Sequence, residues 1–160
     1  YNRKDTTGMR EWSTRMDNLL LDVDRLLSCD ATLSIGKWLQ DARACGTTVS
    51  ATDYSEENAR RILPVWGTQD TQLNDYANRG WGGLTRSFYR ERWKRFTDGV
   101  IGAVSKNKPF DEDKFHQDIT QFEYNWTLQK DSFPIVSEED PIQIADSLIL
   151  KYDTDFTKAQ

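Results

Sequence analysis

Apolar positions recur at steps of three and four along almost the whole chain, which is the period of a helix face. Trp12, Met16, Leu19, Leu20, Val23, Leu26 and Leu27 form the first such seam. Ile35, Trp38, Leu39, Ala42 and Cys45 form the second, followed by Gly46 at a position where a left-handed backbone suits glycine. Ser50 or Thr52 is expected to cap a third helix, with Glu56 and Glu57 in its first turn facing the positive end of the dipole. Pro64 interrupts that helix near its end, and a polar segment from Gly67 to Gln72 reads as a loop. The longest helix is expected from Asp75 to about Lys106, with Trp81, Leu84, Phe88, Tyr89, Trp93, Phe96, Val100 and Val104 on its seam. Gly80, Gly82 and Gly83 would sit in its first turns at a cost of about 1 kcal/mol each, which points to close approach by another backbone or a ligand. Asp111 caps a fifth helix carrying Phe115, Ile119, Phe122 and Trp126. Ser137 caps a sixth, with Pro141 in its first turns and Ile142, Ala145, Leu148, Ile149 and Tyr152 on its face. No strand-period run appears. The expected class is all-α, a bundle or array of about six helices with short loops.

The chain has 160 residues, which fits one domain over 1–160. Its net charge of −5 argues against general nucleic-acid binding, which draws on phosphate neutralisation. No window reaches the 18 or so apolar residues of a membrane span. The opening Tyr1-Asn2-Arg3-Lys4-Asp5 shows no signal-peptide pattern and reads as chain already in progress. Cys29 and Cys45 fall at the ends of the first two helices. In an antiparallel hairpin they would stand about 18 Å apart, beyond the ~7 Å a disulfide allows, so two free thiols are expected.

The chemistry-bearing residues are few. One histidine, His116, excludes multi-histidine metal sites, and no metal or cofactor is expected. Gly36-Lys37 and Gly80-Trp81-Gly82 both lack the partners of a phosphate loop. Between Arg79 and Arg95 six basic residues face a single acid, Glu91. Those arginines are expected to pair with acids on neighbouring helices rather than to bind nucleic acid. Adjacent acids such as Glu56-Glu57 and Glu138-Glu139 sit at expected helix starts, where the dipole explains them, so no catalytic carboxylate pair is assigned. Of the six Trp, Trp12, Trp38, Trp93 and Trp126 fall on apolar seams and are expected in the core. Trp66 differs, because it follows Pro64 and opens the polar loop, with Tyr76 just past that loop. From the residues alone Trp66 has two readings: buried packing, the commoner fate of Trp, or an aromatic face for a flat ligand or sugar ring.

Four ordered segments carry a resemblance. They are Leu19-Leu20-Leu21-Asp22-Val23-Asp24-Arg25-Leu26-Leu27; Gly36-Lys37-Trp38-Leu39-Gln40-Asp41-Ala42-Arg43 with Gly46-Thr47-Thr48; Asn58-Ala59-Arg60 leading to Trp66-Gly67; and Leu73-Asn74-Asp75-Tyr76-Ala77-Asn78-Arg79 followed by Trp81, Gly83-Leu84, Tyr89 and Arg92-Trp93. Together they are similar to the C-terminal helical domain of the α-N-acetylglucosaminidases, glycoside hydrolase family eighty-nine, over about residues 12–98. The resemblance implies a retaining, metal-free glycosidase that removes terminal α-linked N-acetylglucosamine from glycans. It implies that the catalytic carboxylates lie in an upstream (β/α)₈ barrel, against which this domain packs. It places Trp66 on the sugar, with Leu73 and Tyr76 walling the pocket, and a secreted, periplasmic or lysosomal setting. The sequence departs from the family pattern at Glu57, where an aromatic is usual, at Thr68 after Trp66-Gly67, and at Gly80-Trp81-Gly82-Gly83. A helical glycan- or protein-interaction module without a catalytic partner is the other reading.

Overall fold

The computed structural model describes residues 5–66 and 79–157. Among these, six α-helices appear and no strand ladder, so the chain is all-α as its period requires. They are α1 (Thr6–Leu27), α2 (Ile35–Ala44), α3 (Val49–Arg61), α4 (Arg90–Ser105), α5 (Glu112–Thr127) and α6 (Pro141–Thr157). No helix among the described residues is long and apolar enough to cross a membrane.

The caps follow ordinary chemistry, though not always at the expected residue. Asp111 Oδ1 accepts from the Lys114 N–H at 2.9 Å and starts α5 as read from sequence. The cap of α3 is Thr48 rather than Ser50 or Thr52, its hydroxyl accepting from the Ala51 N–H at 3.2 Å. α6 starts at Pro141, not after Ser137, and Asp140 Oδ1 accepts from the Ile142 N–H at 2.9 Å. Ser137 instead donates its N–H to the Ser28 carbonyl at 2.7 Å and tethers the incoming loop to the end of α1. Gly46 does end α2, but its φ is not positive. Its need for glycine is spatial, since a Cβ there would stand 2.4 Å from the Thr52 backbone nitrogen.

The largest difference lies before α4. The expected helix from Asp75 is absent over the described part, 79–83, and a π turn (Thr85–Tyr89) precedes α4. Gly82 is instead pinned between the chain on either side of Ser34: its N–H donates to Leu33 O at 2.7 Å and its carbonyl accepts from Ile35 N–H at 3.1 Å. A backbone engaged in cross-chain bonds cannot also close helical turns. The close approach foreseen from the glycines is real. A Cβ on Gly82 would lie 2.7 Å from the Ser28 backbone, and Gly83 takes φ +80°.

The core gathers Ile35 and Leu39 of α2, Ala59 and Leu63 at the end of α3, Leu84, Phe88 and Trp126 of α5. Phe88 is its hub, stacked on Phe122 at 5.8 Å and edge-on to Trp126 at 5.2 Å. Trp126 is fully buried as expected, and Trp38 packs against the cluster. Trp12 and Trp93 are not in the core; both are exposed. α1 and α4 meet through polar bonds on their facing sides, which turns these two seam residues outward.

The basic run resolves into pairs. Arg86 reaches Asp24 at 3.1 Å, Arg90 reaches Asp17 at 2.7 Å and Arg92 reaches Glu123 at 2.8 Å. The Arg95 guanidinium lies 4.5 Å from the Phe122 ring. Cys29 and Cys45 carry no disulfide.

Candidate functional site

The region around Trp66 is built from the end of α3. Leu63, Pro64 and Val65 are all buried and plug the chain into the core. The N–H groups of Val65 and Trp66 both donate to the Arg61 carbonyl, at 3.1 and 2.8 Å. The next side chain is therefore thrown outward. Trp66 is 47% exposed and holds φ +49°. A bulky residue in that region costs of order 1 kcal/mol, so the surroundings hold it there against strain. Trp66 is thus half-exposed rather than part of the core of this chain.

Arg60 anchors the end of α3 from inside. It is fully buried, donates from Nε to Glu56 Oε1 at 3.0 Å and from Nη2 to the Asp131 carbonyl at 2.7 Å. The rings of Trp126 and Phe133 lie 5.4 and 5.6 Å from its guanidinium carbon. Glu56 takes a second, bidentate pair from Arg43, both bonds at 2.7 Å. Burial pushes the Glu56 carboxyl upward, but the bonds from Arg43 and Arg60 outweigh it and hold the group below its usual range. Burial lowers Arg60 from its ordinary value, with Glu56 opposing. Glu56 was expected in the first turn of its helix, explained by the dipole. It lies instead well inside α3 and is a buried ion-pair node. Glu139, expected at a helix start, lies outside α6 and pairs with Arg25, the carboxyl drawn below its usual range by those bonds.

The other flank of the 67–78 segment is equally fixed. The Gly83 and Arg86 N–H groups donate to Asp24 Oδ1 at 2.7 and 2.9 Å, so a buried carboxylate from α1 caps the start of the next helical stretch. Arg79 donates its N–H to the Tyr89 hydroxyl at 3.1 Å, and its guanidinium lies 5.2 Å from the Trp81 ring. Trp38 ties the two flanks together. Its indole N–H donates to Ala59 O at 2.9 Å, and its ring tilts against Trp81 with centroids 5.6 Å apart. Of the expected pocket residues, Trp66 is exposed at a pinned corner, while Leu73 and Tyr76 lie outside the described residues. Sequence reasoning missed Asp24 and Glu56 as buried nodes. Each stands on a helix that carries an apolar face, the setting that buries a carboxylate only with a cationic partner.

Among the described residues no three His, Cys, Asp or Glu side chains gather to hold a metal ion. The buried carboxylates Asp24, Glu56 and Glu123 are each engaged by an arginine. What is left is an all-helical scaffold whose charged groups hold one another and whose outward feature at this corner is an aromatic ring.

That describes a helical domain held together by buried ion pairs. Residues 1–151 match the family model for the alpha-N-acetylglucosaminidase (NAGLU) C-terminal domain, and the chain belongs to that family. It is 32% identical over 134 residues to alpha-N-acetylglucosaminidase from Homo sapiens, covering 84% of this chain and 18% of that protein. Its fold superposes on a family 89 glycoside hydrolase from Clostridium perfringens in complex with PUGNAc, with a TM-score of 0.80 and 27% identity over 93% of this chain and 18% of that one. It also superposes on the Clostridium perfringens CpGH89 in complex with its substrate GlcNAc-alpha-1,4-galactose, with a TM-score of 0.81 and 26% identity over 94% of this chain. The chain thus spans 18% of the length of these relatives.

Proposed function

We propose that this chain is the helical part of a retaining α-N-acetylglucosaminidase and completes the pocket for a terminal α-linked N-acetylglucosamine. The observation that carries the reading is Trp66, an exposed indole held in a strained conformation at a corner pinned from inside by Arg60. Strain of this kind collects where a side chain must be presented to a ligand. An aromatic face stacks well on the apolar side of a sugar ring. Leu73 and Tyr76 complete the wall in this reading.

The chemistry belongs upstream. Retaining hydrolysis needs two carboxyl groups about 5–5.5 Å apart, one as nucleophile and one as acid then base. The buried carboxylates of this chain are committed to arginines. An upstream barrel of roughly 250 residues would supply the pair and pack against the helices.

The test is kinetic. In the full-length enzyme, Trp66→Ala should raise KM or lower kcat on an aryl α-N-acetylglucosaminide, and unchanged kinetics would remove Trp66 from the pocket. The isolated chain should show no turnover. Hydrolysis by it that vanished on changing one of its own acids would overturn the assignment of the chemistry upstream.

A further inference from the structure

The last turn of α3 leaves one carbonyl that the neighbouring backbone does not serve. Pro64 has no N–H, so the Arg60 carbonyl cannot take the ordinary helical bond from it. The Leu63 N–H turns to Arg60 O instead, at 3.2 Å, in a tighter turn. In a regular helix that N–H would have served Ala59 O. On either side the carbonyls are engaged: Asn58 O accepts from the Ile62 N–H at 3.1 Å, and Arg61 O accepts from Val65 and Trp66. Among the described residues Ala59 O is thus passed over by the backbone N–H groups, although Ala59 is buried. A buried carbonyl needs a donor. The Trp38 indole supplies it, reaching across from α2 at 2.9 Å. Trp38 is therefore a side-chain cap on the end of α3, just before the chain throws Trp66 outward.

Trp38 can aim that N–H because its own helix starts from a fixed point. Ser34 Oγ donates to Pro134 O at 3.0 Å and accepts from the Gly36 N–H at 3.1 Å. A Cβ on Gly36 would stand 2.1 Å from Pro134 O, so α2 begins hard against that loop. The same start of α2 grips Gly82 through Leu33 and Ile35. The Trp38 ring also tilts against Trp81, with centroids 5.6 Å apart. One side chain thus touches both flanks of the 67–78 segment, the end of α3 and the returning stretch at 79–83. Apolar contact alone would let the end of α3 slide, whereas a hydrogen bond fixes direction as well as distance. Trp66 holds φ +49°, and a conformation of that kind persists only where the surroundings over-determine it. We infer that Trp38 is a positioning residue of the proposed pocket: through Ala59 and Trp81 it fixes where the Trp66 ring stands against the returning stretch. The inference rests on reading Trp66 as a wall of that pocket, and it adds a residue that acts through Trp66.

The experiment makes Trp38→benzothienylalanine in the full-length protein. This replacement keeps the ring and its contact with Trp81 but carries sulfur in place of the donating N–H. Melting curves fix an assay temperature at which every variant is folded. On an aryl α-N-acetylglucosaminide KM should rise several-fold while kcat stays close to wild type, since a misaimed wall weakens substrate and transition state alike. Trp38→fluorotryptophan, which keeps the N–H, should show the wild-type KM. Both replacements are repeated together with Trp66→Ala. There, loss of the N–H should change KM no further, because what Trp38 does through Trp66 is already gone. A wild-type KM for the benzothienylalanine variant, beside an altered Trp66→Ala, would overturn the inference and leave the pocket reading standing. So would a rise in KM of equal size with and without Trp66, the mark of a general loosening. Unaltered kinetics of Trp66→Ala would remove the pocket reading and the inference with it.

Discussion

Arg60 and Glu56 face each other one helical turn apart, inside the fold, at 3.0 Å and with almost no access to water. Arg43 completes the group from α2, so one carboxylate joins two helices. The arrangement has a one-sided energetic consequence. Removing one partner of a buried pair strands the other charge, at about 3–5 kcal/mol. Glu56→Gln should therefore lower stability by about 3 kcal/mol in urea denaturation, and a loss under about 0.5 kcal/mol would show that water reaches Arg60.

The same pair sets a pH dependence. Glu56 is held below its ordinary range in the folded state, so it binds its proton more weakly there than in the unfolded chain. Its contribution is present above the unfolded carboxylate value of about 4.3 and is lost as pH falls through the folded value. Asp22 behaves alike: burial raises it, but the bonds from Lys151 and Tyr152 prevail and leave it lowered. Thermal melting should thus fall steeply with acid below about pH 4.5, and Glu56→Gln should flatten that slope. A variant with an unchanged slope would place the acid sensitivity elsewhere.

Asp24 offers a finer test, because charge and acceptor can be separated. Asp24→Asn keeps an oxygen for the Gly83 and Arg86 N–H groups but loses the charge facing the Arg86 guanidinium. Asp24→Ala leaves those N–H groups without an acceptor, at about 1–3 kcal/mol. Hydrogen exchange at 83–86 should rise strongly for Ala and weakly for Asn. Equal effects would mean that the ion pair, not the cap, holds this corner.

Gly82 probes close approach alone. A Cβ there would stand 2.4 Å from Ser28 Oγ and 2.7 Å from its backbone. Gly82→Ala must push α1 and the 79–83 stretch apart, at about 1–3 kcal/mol. The check is a lower melting temperature together with a raised KM in the full enzyme, because the displaced stretch flanks the proposed wall. Wild-type values for both would show that the backbone relaxes freely.

Trp66 should separate stability from function. Its φ of +49° suits Asn better than Trp. Trp66→Asn is expected to hold or raise stability, by up to about 1 kcal/mol, while lowering kcat/KM in the full enzyme. A variant that loses stability as well would make the indole a packing residue after all.

Parts of the corner around Trp66 could be read before the fold, in particular cases for particular reasons. Trp66 stood out because it broke from every seam and followed a proline, both local facts. Its outward direction was not local: it depends on Leu63, Pro64 and Val65 being drawn into a core that α2 and α5 help to build. The glycines near Trp81 announced a close contact, yet read as a helix, because the partner carbonyl at Leu33 lies far away in sequence. Thr48 lost to Ser50 and Thr52 as the expected cap because all three hydroxyls suit the role, and only the path from Gly46 past Thr52 selects among them.

Local pattern alone determined the all-α class, the six helices of the described residues and the cap at Asp111, since these follow from interactions within a few residues of one another. The four ordered segments determined the family. The tertiary structure decided which seams face inward, how the arginines pair, and that Trp12 and Trp93 stay exposed. The reason is physical: an amphipathic stripe states only that a residue seeks burial, and its partner is set by helices, or by another domain, that the local pattern does not contain.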